Sequence, residues 1–385
     1  GMTTGDTTLS SPGQAAPAPG SAQEVHLARI ESREARSHRI STSILIAIMA
    51  VLMLALVPRT SGTAQFSFLD SLSGKDLGTA KLPGLPTVLV SGILCALAAV
   101  AFVFKRSHGW IGTIAGVVAG VTVVVGLLTW AAAGASLPFQ VSSQLEGTIS
   151  LATPLILGAL CGVMCERSGV VNVAIEGQML TAAFAAALVG SMTQSIAAAL
   201  VAAVLAGVLM GALLALFTIK YLVDEVVMGV VVNLFASGLT GFLFNQLLVT
   251  DAEKYNAAPI MEPIAIPGLS RIPFLGPILF NQTVLVYIGF LCIALVWFLL
   301  WRTRWGLRIR SAGEHPEAAD TVGISVTAVR WSAVLVGGVF AGLGGAYFTI
   351  GTVGAFSKNI TVGNGFIALA ALIMGRWKPV SYTHL

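Results

Sequence analysis

The chain has 385 residues, 56% hydrophobic and only 10% charged, with a mean hydropathy of +0.88. Soluble globular chains carry about 25% charged residues, so an ordinary soluble domain is excluded, and the absence of alternating strand patterns speaks against a β-barrel. The net charge of +4 points to basic links on the inner face of a membrane rather than to nucleic-acid binding. The expected fold is all-α: a polytopic helical membrane protein.

Residues 1–24 are rich in Gly, Ala, Pro, Ser and Thr and are predicted to be disordered. The next stretch, VHLARIESREARSHR (25–39), suits a basic helix at the membrane surface. Residues 1–40 are therefore expected to form a disordered, basic cytoplasmic tail. They are not expected to form a secretory signal peptide, since the basic region lies far from the first residue and no clean cleavage site follows the next apolar run.

Ten apolar runs come next, at 41–58, 86–104, 111–133, 148–165, 170–192, 196–219, 226–248, 283–301, 331–352 and 365–375. All but the last are long enough to cross a ~30 Å hydrocarbon core as helices. The last is short and is expected to be truncated or re-entrant. Together they give about ten transmembrane segments in one membrane domain over 41–380. With the N-terminus inside, alternation puts fifteen Lys and Arg on inner links and six on outer ones. That bias favours a cytoplasmic N-terminus and places 302–330 in the cytoplasm.

The outer link 249–282 carries Pro259, Pro263, Pro267, Pro273 and Pro277. That much proline favours a compact extended loop over helix, either a plain connector or a dock for an external partner. Glycine pairs four residues apart recur within the spans: Gly116 and Gly120, Gly158 and Gly162, Gly207 and Gly211, Gly338 and Gly342. Such spacing lets helices approach closely in lipid. Cys95, Cys161, Cys165 and Cys292 all lie in apolar runs and are expected to pack as small core residues. No metal site or disulfide framework is expected.

Polar side chains inside the spans are few. ERSGVVNVAIEGQML (166–180) places Asn172, Glu176 and Gln178 in or beside an apolar run. A carboxylate at membrane depth costs about 2.5–3.5 kcal/mol on insertion scales, so it normally faces water or a partner. Gly169 and Gly177 would ease a helix break there, and broken helices often build binding sites. Two roles stay open: a substrate path, or a Glu176 that locks the break. Asp224 and Glu225 suit the positive end of the helix they open. Asn233 either lines the path or bonds a neighbouring helix. The histidines lie in tails and links, no catalytic constellation appears, and there is no G-x-x-x-x-G-K-[ST] phosphate loop.

The longest charged segment between apolar runs is RTRWGLRIRSAGEHPEAADTVGISVTAVR (302–330). Pro316 suits the first position of a helix, Glu317 complements its dipole, and Gly323 is a terminator. A two-turn helix over 316–322 is predicted, exposing Ala318 and Ala319 for docking, while Arg302, Arg304, Arg308 and Arg310 anchor the segment to the inner face.

Glu317-Ala318-Ala319 followed by Gly323 resembles the EAA loop of permease subunits in bacterial ATP-binding-cassette importers. The frame GLRIRSAGEHPEAADTVGI resembles the branch that takes up simple sugars and nucleosides. SGVVNVAIEGQML is most similar to its nucleoside-type members, and GNGFIALAALIMGRWKP (363–379) fits the same branch. These anchors cover about 148–380. The resemblance implies a multi-pass permease subunit in the bacterial plasma membrane, forming the path for nucleosides. It makes Pro316, Glu317, Ala318, Ala319 and Gly323 a coupling helix docked on a separate ATPase subunit. Further partners implied are a second related permease and an external substrate-binding lipoprotein, besides membrane lipid. This chain then needs no cofactor and is no enzyme, since ATP and Mg belong to the partner ATPase. Where family members continue with further membrane helix, this sequence ends in SYTHL, so 381–385 is expected to be an artefactual tail on a truncated chain. Two alternatives remain: the same architecture carrying sugars or another small polar solute, and an ion-coupled secondary transporter using Glu176 as a proton site.

Overall fold

A computed structural model describes residues 33–69, 76–103 and 110–375. The expected features at 1–32 and 376–385, including the tail and the end of the WKP motif, lie outside the described residues. The described residues fall into two compact units, divided after Ala64, Lys81 and Ala135.

The first unit is built on three helices: α1 (Arg33–Leu56), α2 (Gly84–Val103) and α3 (Trp110–Ala132). Met53 and Val88 are fully buried among them, as is Cys95, whose thiol lies 3.2 Å from the Thr122 hydroxyl. Ser43 Oγ donates to the Ala99 carbonyl at 2.9 Å. The chain between α1 and α2 forms strands β1 (Thr63–Leu69) and β2 (Asp76–Pro83), which the hydropathy pattern did not reveal.

The second unit begins its main run with the short strand β3 (Phe139–Gln140), paired in parallel with β1 at Phe66. Then come α4 (Val141–Arg167), α5 (Ile175–Thr193), α6 (Ile196–Ala215) and α7 (Glu225–Leu243). The proline-rich link is less extended than its composition predicts. It contains α8 (Ala252–Tyr255), β4 (Ile264–Ala265), α9 (Leu275–Phe280) and β5 (Asn281–Gln282). Pro277 sits in the first turn of α9, where a missing N–H removes no helical bond. Next are α10 (Val284–Arg302), α11 (Arg304–Glu314), α12 (Pro316–Thr321), α13 (Val326–Tyr347) and α14 (Asn364–Met374). Single π-type turns extend α6, α7 and α13 to Lys220, Leu248 and Val353.

Nine of the described helices are long and apolar enough to cross a membrane, and α14 is a shorter apolar one. The all-α membrane fold is thus as expected, with shifted boundaries. α4 starts seven residues before the predicted span, α13 five before, and α5 five after. Residues 168–174 are not helical.

Alternation holds within the second unit. At one end, Arg330 Nε donates to the Ser168 carbonyl at 3.2 Å, and the Val171 N–H donates to Glu225 at 2.5 Å. At the other, Gln194 Nε2 donates to Ala257 O, and Met261 N to Ile350 O. The core lies along α4 and α13, where Leu157, Leu160, Met164, Val334 and Phe340 are buried with Leu372 of α14. α6 crosses α13 through glycine: a Cβ on Gly207 would lie 2.5 Å from the Gly338 carbonyl oxygen. Gly158 and Gly162 pack on Ala368 and Leu372. Gly120 meets nothing within 4 Å and Gly116 meets only the Phe102 ring of α2, at 3.9 Å, so the Gly116–Gly120 pair makes no close backbone crossing.

Candidate functional site

The break between α4 and α5 concentrates the polar side chains. After Arg167 the chain turns at Gly169 (φ +84°) and runs back beside α4, so that Asn172 lies against Cys161 and Cys165. Asn172 is fully buried. Its amide nitrogen donates to both thiols, at 3.3 and 3.4 Å, and to Gln178 Oε1 at 3.4 Å. Its carbonyl oxygen accepts from the Ala174 N–H at 3.0 Å, closing an Asx-type turn that stands in for the missing cap of α5. Gln178 is also fully buried and accepts from Cys161 at 3.3 Å. Both residues were expected on a solute path; here they are enclosed in protein and fix the turn.

Asn233 of α7 reaches the same segment with both ends of its amide. Oδ1 accepts from Gly177 N at 2.8 Å, and Nδ2 donates to Val173 O at 2.9 Å. Those two backbone groups belong to an interrupted helix and would otherwise lack partners at membrane depth. Asp224 caps α7 by accepting from Val226 N and Val227 N, at 3.0 and 2.9 Å. Glu225 does more than favour the helix dipole, since it holds Val171.

Glu176 stands in the first turn of α5 and faces the first turn of α14. Oε1 accepts from Thr361 Oγ1 at 2.5 Å and Gly363 N at 2.9 Å; Oε2 accepts from Gly365 N at 2.6 Å. A carboxylate is acceptor-only, and three donors with the positive ends of two helices satisfy it without a cation. Of the two open roles for Glu176, the geometry matches the lock on the helix break.

At the arginine-rich end, Thr303 caps α11 by accepting from Gly306 N at 3.0 Å. This eleven-residue helix was read from sequence only as a charged anchor. Its arginines meet tryptophan: the Arg310 and Arg167 guanidiniums lie 5.8 and 5.5 Å from the Trp301 ring, and Arg302 lies 5.6 Å from Trp297. α12 forms where expected, with Pro316 at its start, and Gly323 (φ +83°) ends it in the left-handed conformation that glycine adopts freely. The Ile324 N–H closes back on Ala319 O at 3.0 Å. One expectation is corrected. Ala318 is exposed with Glu317 and Asp320, but Ala319 is only 3% exposed and packs into the chain. With six residues and 3.6 per turn, adjacent alanines point 100° apart, so only Ala318 stays free.

Sequence reading missed residues 354–363, treated as an outer link. Phe356 is buried against Phe184 and Phe244, with ring centroids at 5.3 and 6.0 Å, and Asn256 clamps its backbone at both N and O. Ser237 Oγ of α7 donates to Asn359 Oδ1 at 3.1 Å. The signal available was the polar run SKNITVGN (357–364) between two apolar segments. Among the described residues, no group of three or more His, Cys, Asp or Glu is placed to hold a metal ion.

Residues 144–383 match the family model described as the permease component of branched-chain amino acid transport systems. Among curated proteins, the chain is 42% identical over 243 residues to the guanosine ABC transporter permease protein NupQ of Bacillus subtilis. That alignment covers 60% of this chain and 75% of the relative. It is 42% identical over 240 residues to the nucleoside ABC transporter permease protein NupC of Lactococcus lactis, covering 59% and 74%. It is 34% identical over 236 residues to the putative glucose ABC transporter permease protein TsgC13 of Haloferax volcanii, covering 61% and 71%. No solved structure matches. The three helices of the first unit precede the matched residues.

Proposed function

We propose, from the premise that the chain belongs to this permease-component family, that it is the membrane-spanning subunit of an ATP-binding-cassette importer and carries nucleosides. The observation that carries this reading is the 42% identity to guanosine and nucleoside permeases, over a region as long as the family match. The chain does no chemistry of its own. A separate ATPase binds ATP and Mg, a second related permease completes the path, and an external lipoprotein delivers the cargo. The chain lies in the bacterial plasma membrane with its N-terminus and the α11–α12 surface in the cytoplasm.

The geometry supports a mechanical link from α12 into the bundle. Ala319 is buried, and the Ile324–Ala319 hydrogen bond closes the end of α12 just before α13 begins. Arg330, one turn into α13, holds the Ser168 carbonyl at the mouth of the α4–α5 break. Gly313 of α11 sits so close to the Arg167 carbonyl that no side chain fits between them. A push on α12 by a docked ATPase thus reaches the break through two contacts without passing through the apolar core. Glu176 accepts hydrogen bonds from Thr361, Gly363 and Gly365, which supports a structural role for it over ion coupling.

The test compares neighbouring alanines. Ala318→Arg is expected to abolish ATP-driven guanosine uptake while leaving the permease folded and abundant. Ala319→Arg is expected to lower its thermal stability and abundance first. Wild-type uptake by Ala318→Arg at equal expression would overturn the coupling role. The glucose permease relative motivates one other cargo, and uptake of glucose but not guanosine by the wild-type transporter would select it.

A further inference from the structure

α14 has eleven residues, about 16 Å of helix and half of a ~30 Å hydrocarbon core, and packs with Ala368 and Leu372 on Gly158 and Gly162 inside the spanning helix α4. The segment leading into it descends from Asn256, in the proline-rich link, to Glu176 at the start of α5. Asn359 meets Ser237, which lies twelve residues into α7, about 18 Å along the helix. Irregular backbone therefore runs at membrane depth. One side of it is buried through Phe356 and Thr361, while Ser357, Lys358, Asn359 and Val362 are exposed. Non-helical backbone at this depth is tolerated only inside protein or along a water-filled cavity, and lipid satisfies none of its polar groups.

α7 faces this segment with a polar stripe. Asn233, Ser237, Gly241 and Asn245 recur every four residues and share a flank of the helix. Asn245 is exposed, and a Cβ added at Gly241 would meet nothing within 4 Å. Lys358 carries its ammonium 5.7 Å from the Phe244 ring centroid near the far end of the stripe. Charged and amide side chains on a spanning bundle face a path or a partner rather than acyl chains.

We propose that Ser237, Asn359 and Asn245, with the exposed edge of residues 357–362, form the solute-contacting wall of the translocation path. The two amides and the hydroxyl each donate and accept, which suits an uncharged solute carrying both hydroxyls and ring nitrogens or carbonyls, as nucleosides do. The inference rests on the nucleoside reading above and assigns its contacts. It also moves them away from Asn172 and Gln178, which are sealed.

The four native cysteines are buried, so single cysteines at new positions report cleanly. In vesicles holding the assembled transporter, Ser237→Cys and Asn359→Cys are treated with a membrane-impermeant methanethiosulfonate ammonium reagent. Val201→Cys and Leu205→Cys, on exposed apolar positions of α6, serve as lipid-facing comparisons. Residues 237 and 359 are expected to react about tenfold faster or more, since the thiolate is the reactive form and apolar surroundings suppress it. Guanosine, and not glucose, is expected to slow them. Asn359→Ala is expected to raise the KM for guanosine uptake about three- to tenfold, the loss of one or two hydrogen bonds, with the maximal rate less affected. Reaction no faster than at 201 and 205 overturns the wall. So does fast reaction that guanosine leaves unchanged in vesicles that take guanosine up. Absence of guanosine uptake by the unmodified transporter is a separate result, and it overturns the cargo assignment.

Discussion

Where α6 crosses α13, no side chain stands between the two backbones; where α4 gives way to α5, six side chains do. At the crossing, Gly207, Gly338 and Gly342 interlock, and each Cβ added there would fall within 2.8 Å of a carbonyl oxygen of the facing helix. At the break, Arg330, Glu225, Asn172, Gln178 and Asn233 hold a few residues of unwound chain, and Glu176 pins the start of α5 to that of α14. In lipid there is little hydrophobic drive between helices, so close van der Waals contact serves for a regular pair. An unwound segment cannot use that route, because its backbone groups need explicit partners. The first region tolerates no added volume; the second tolerates no lost donor or acceptor.

Substitutions that cross these rules separate the two regions. Glu176→Ala strands three donors and should cost most, about 4 kcal/mol at charge-assisted strength, seen as a large fall in melting temperature in detergent; Glu176→Gln should recover part of it. Gly207→Val should come next, at about 3 kcal/mol from overpacking against backbone, with loss of monodisperse protein on size exclusion. Asn233→Ala removes two hydrogen bonds, for about 2 kcal/mol, and should speed amide exchange at Gly177 specifically. Asp224→Ala loses a cap, about 1 kcal/mol. Gly120→Ala, facing open space, should be neutral or raise helix stability by up to about 1 kcal/mol. If Gly120→Ala destabilised as much as Gly207→Val, the glycine spacing alone would be the determinant and the observed packing would not.

The spans were legible because hydropathy sums over a window, and ten apolar runs survive any local detail. The exact start of α5 was not. Gly169 signalled a break, but Val170, Val171, Val173 and Ala174 are as apolar as the helix that follows, so nothing local marks where helix resumes. Pro316, Glu317 and Gly323 placed α12 because capping chemistry is local. The inward turn of Ala319 was invisible because it depends on how α12 leans on its neighbours. Glu176 was recognised as anomalous, yet its partners lie 185 to 189 residues away, beyond any pattern of spacing. The re-entrant segment was misplaced for a related reason: a polar run after a full-length span reads as a surface link whether it stays outside or folds back.

The carboxylate of Glu176 belongs by sequence to α5 and by hydrogen bonding to α14. Parting these two helices would leave one negative charge and two backbone N–H groups facing each other across a gap in low dielectric. The pair is therefore welded at its starting ends and travels as a single lever, with α4, packed on both, as its bed. Any opening of the bundle has to hinge elsewhere. The seam between α7 and the lever is bridged instead by the neutral Asn233 and Ser237 contacts, which strand no charge if they part.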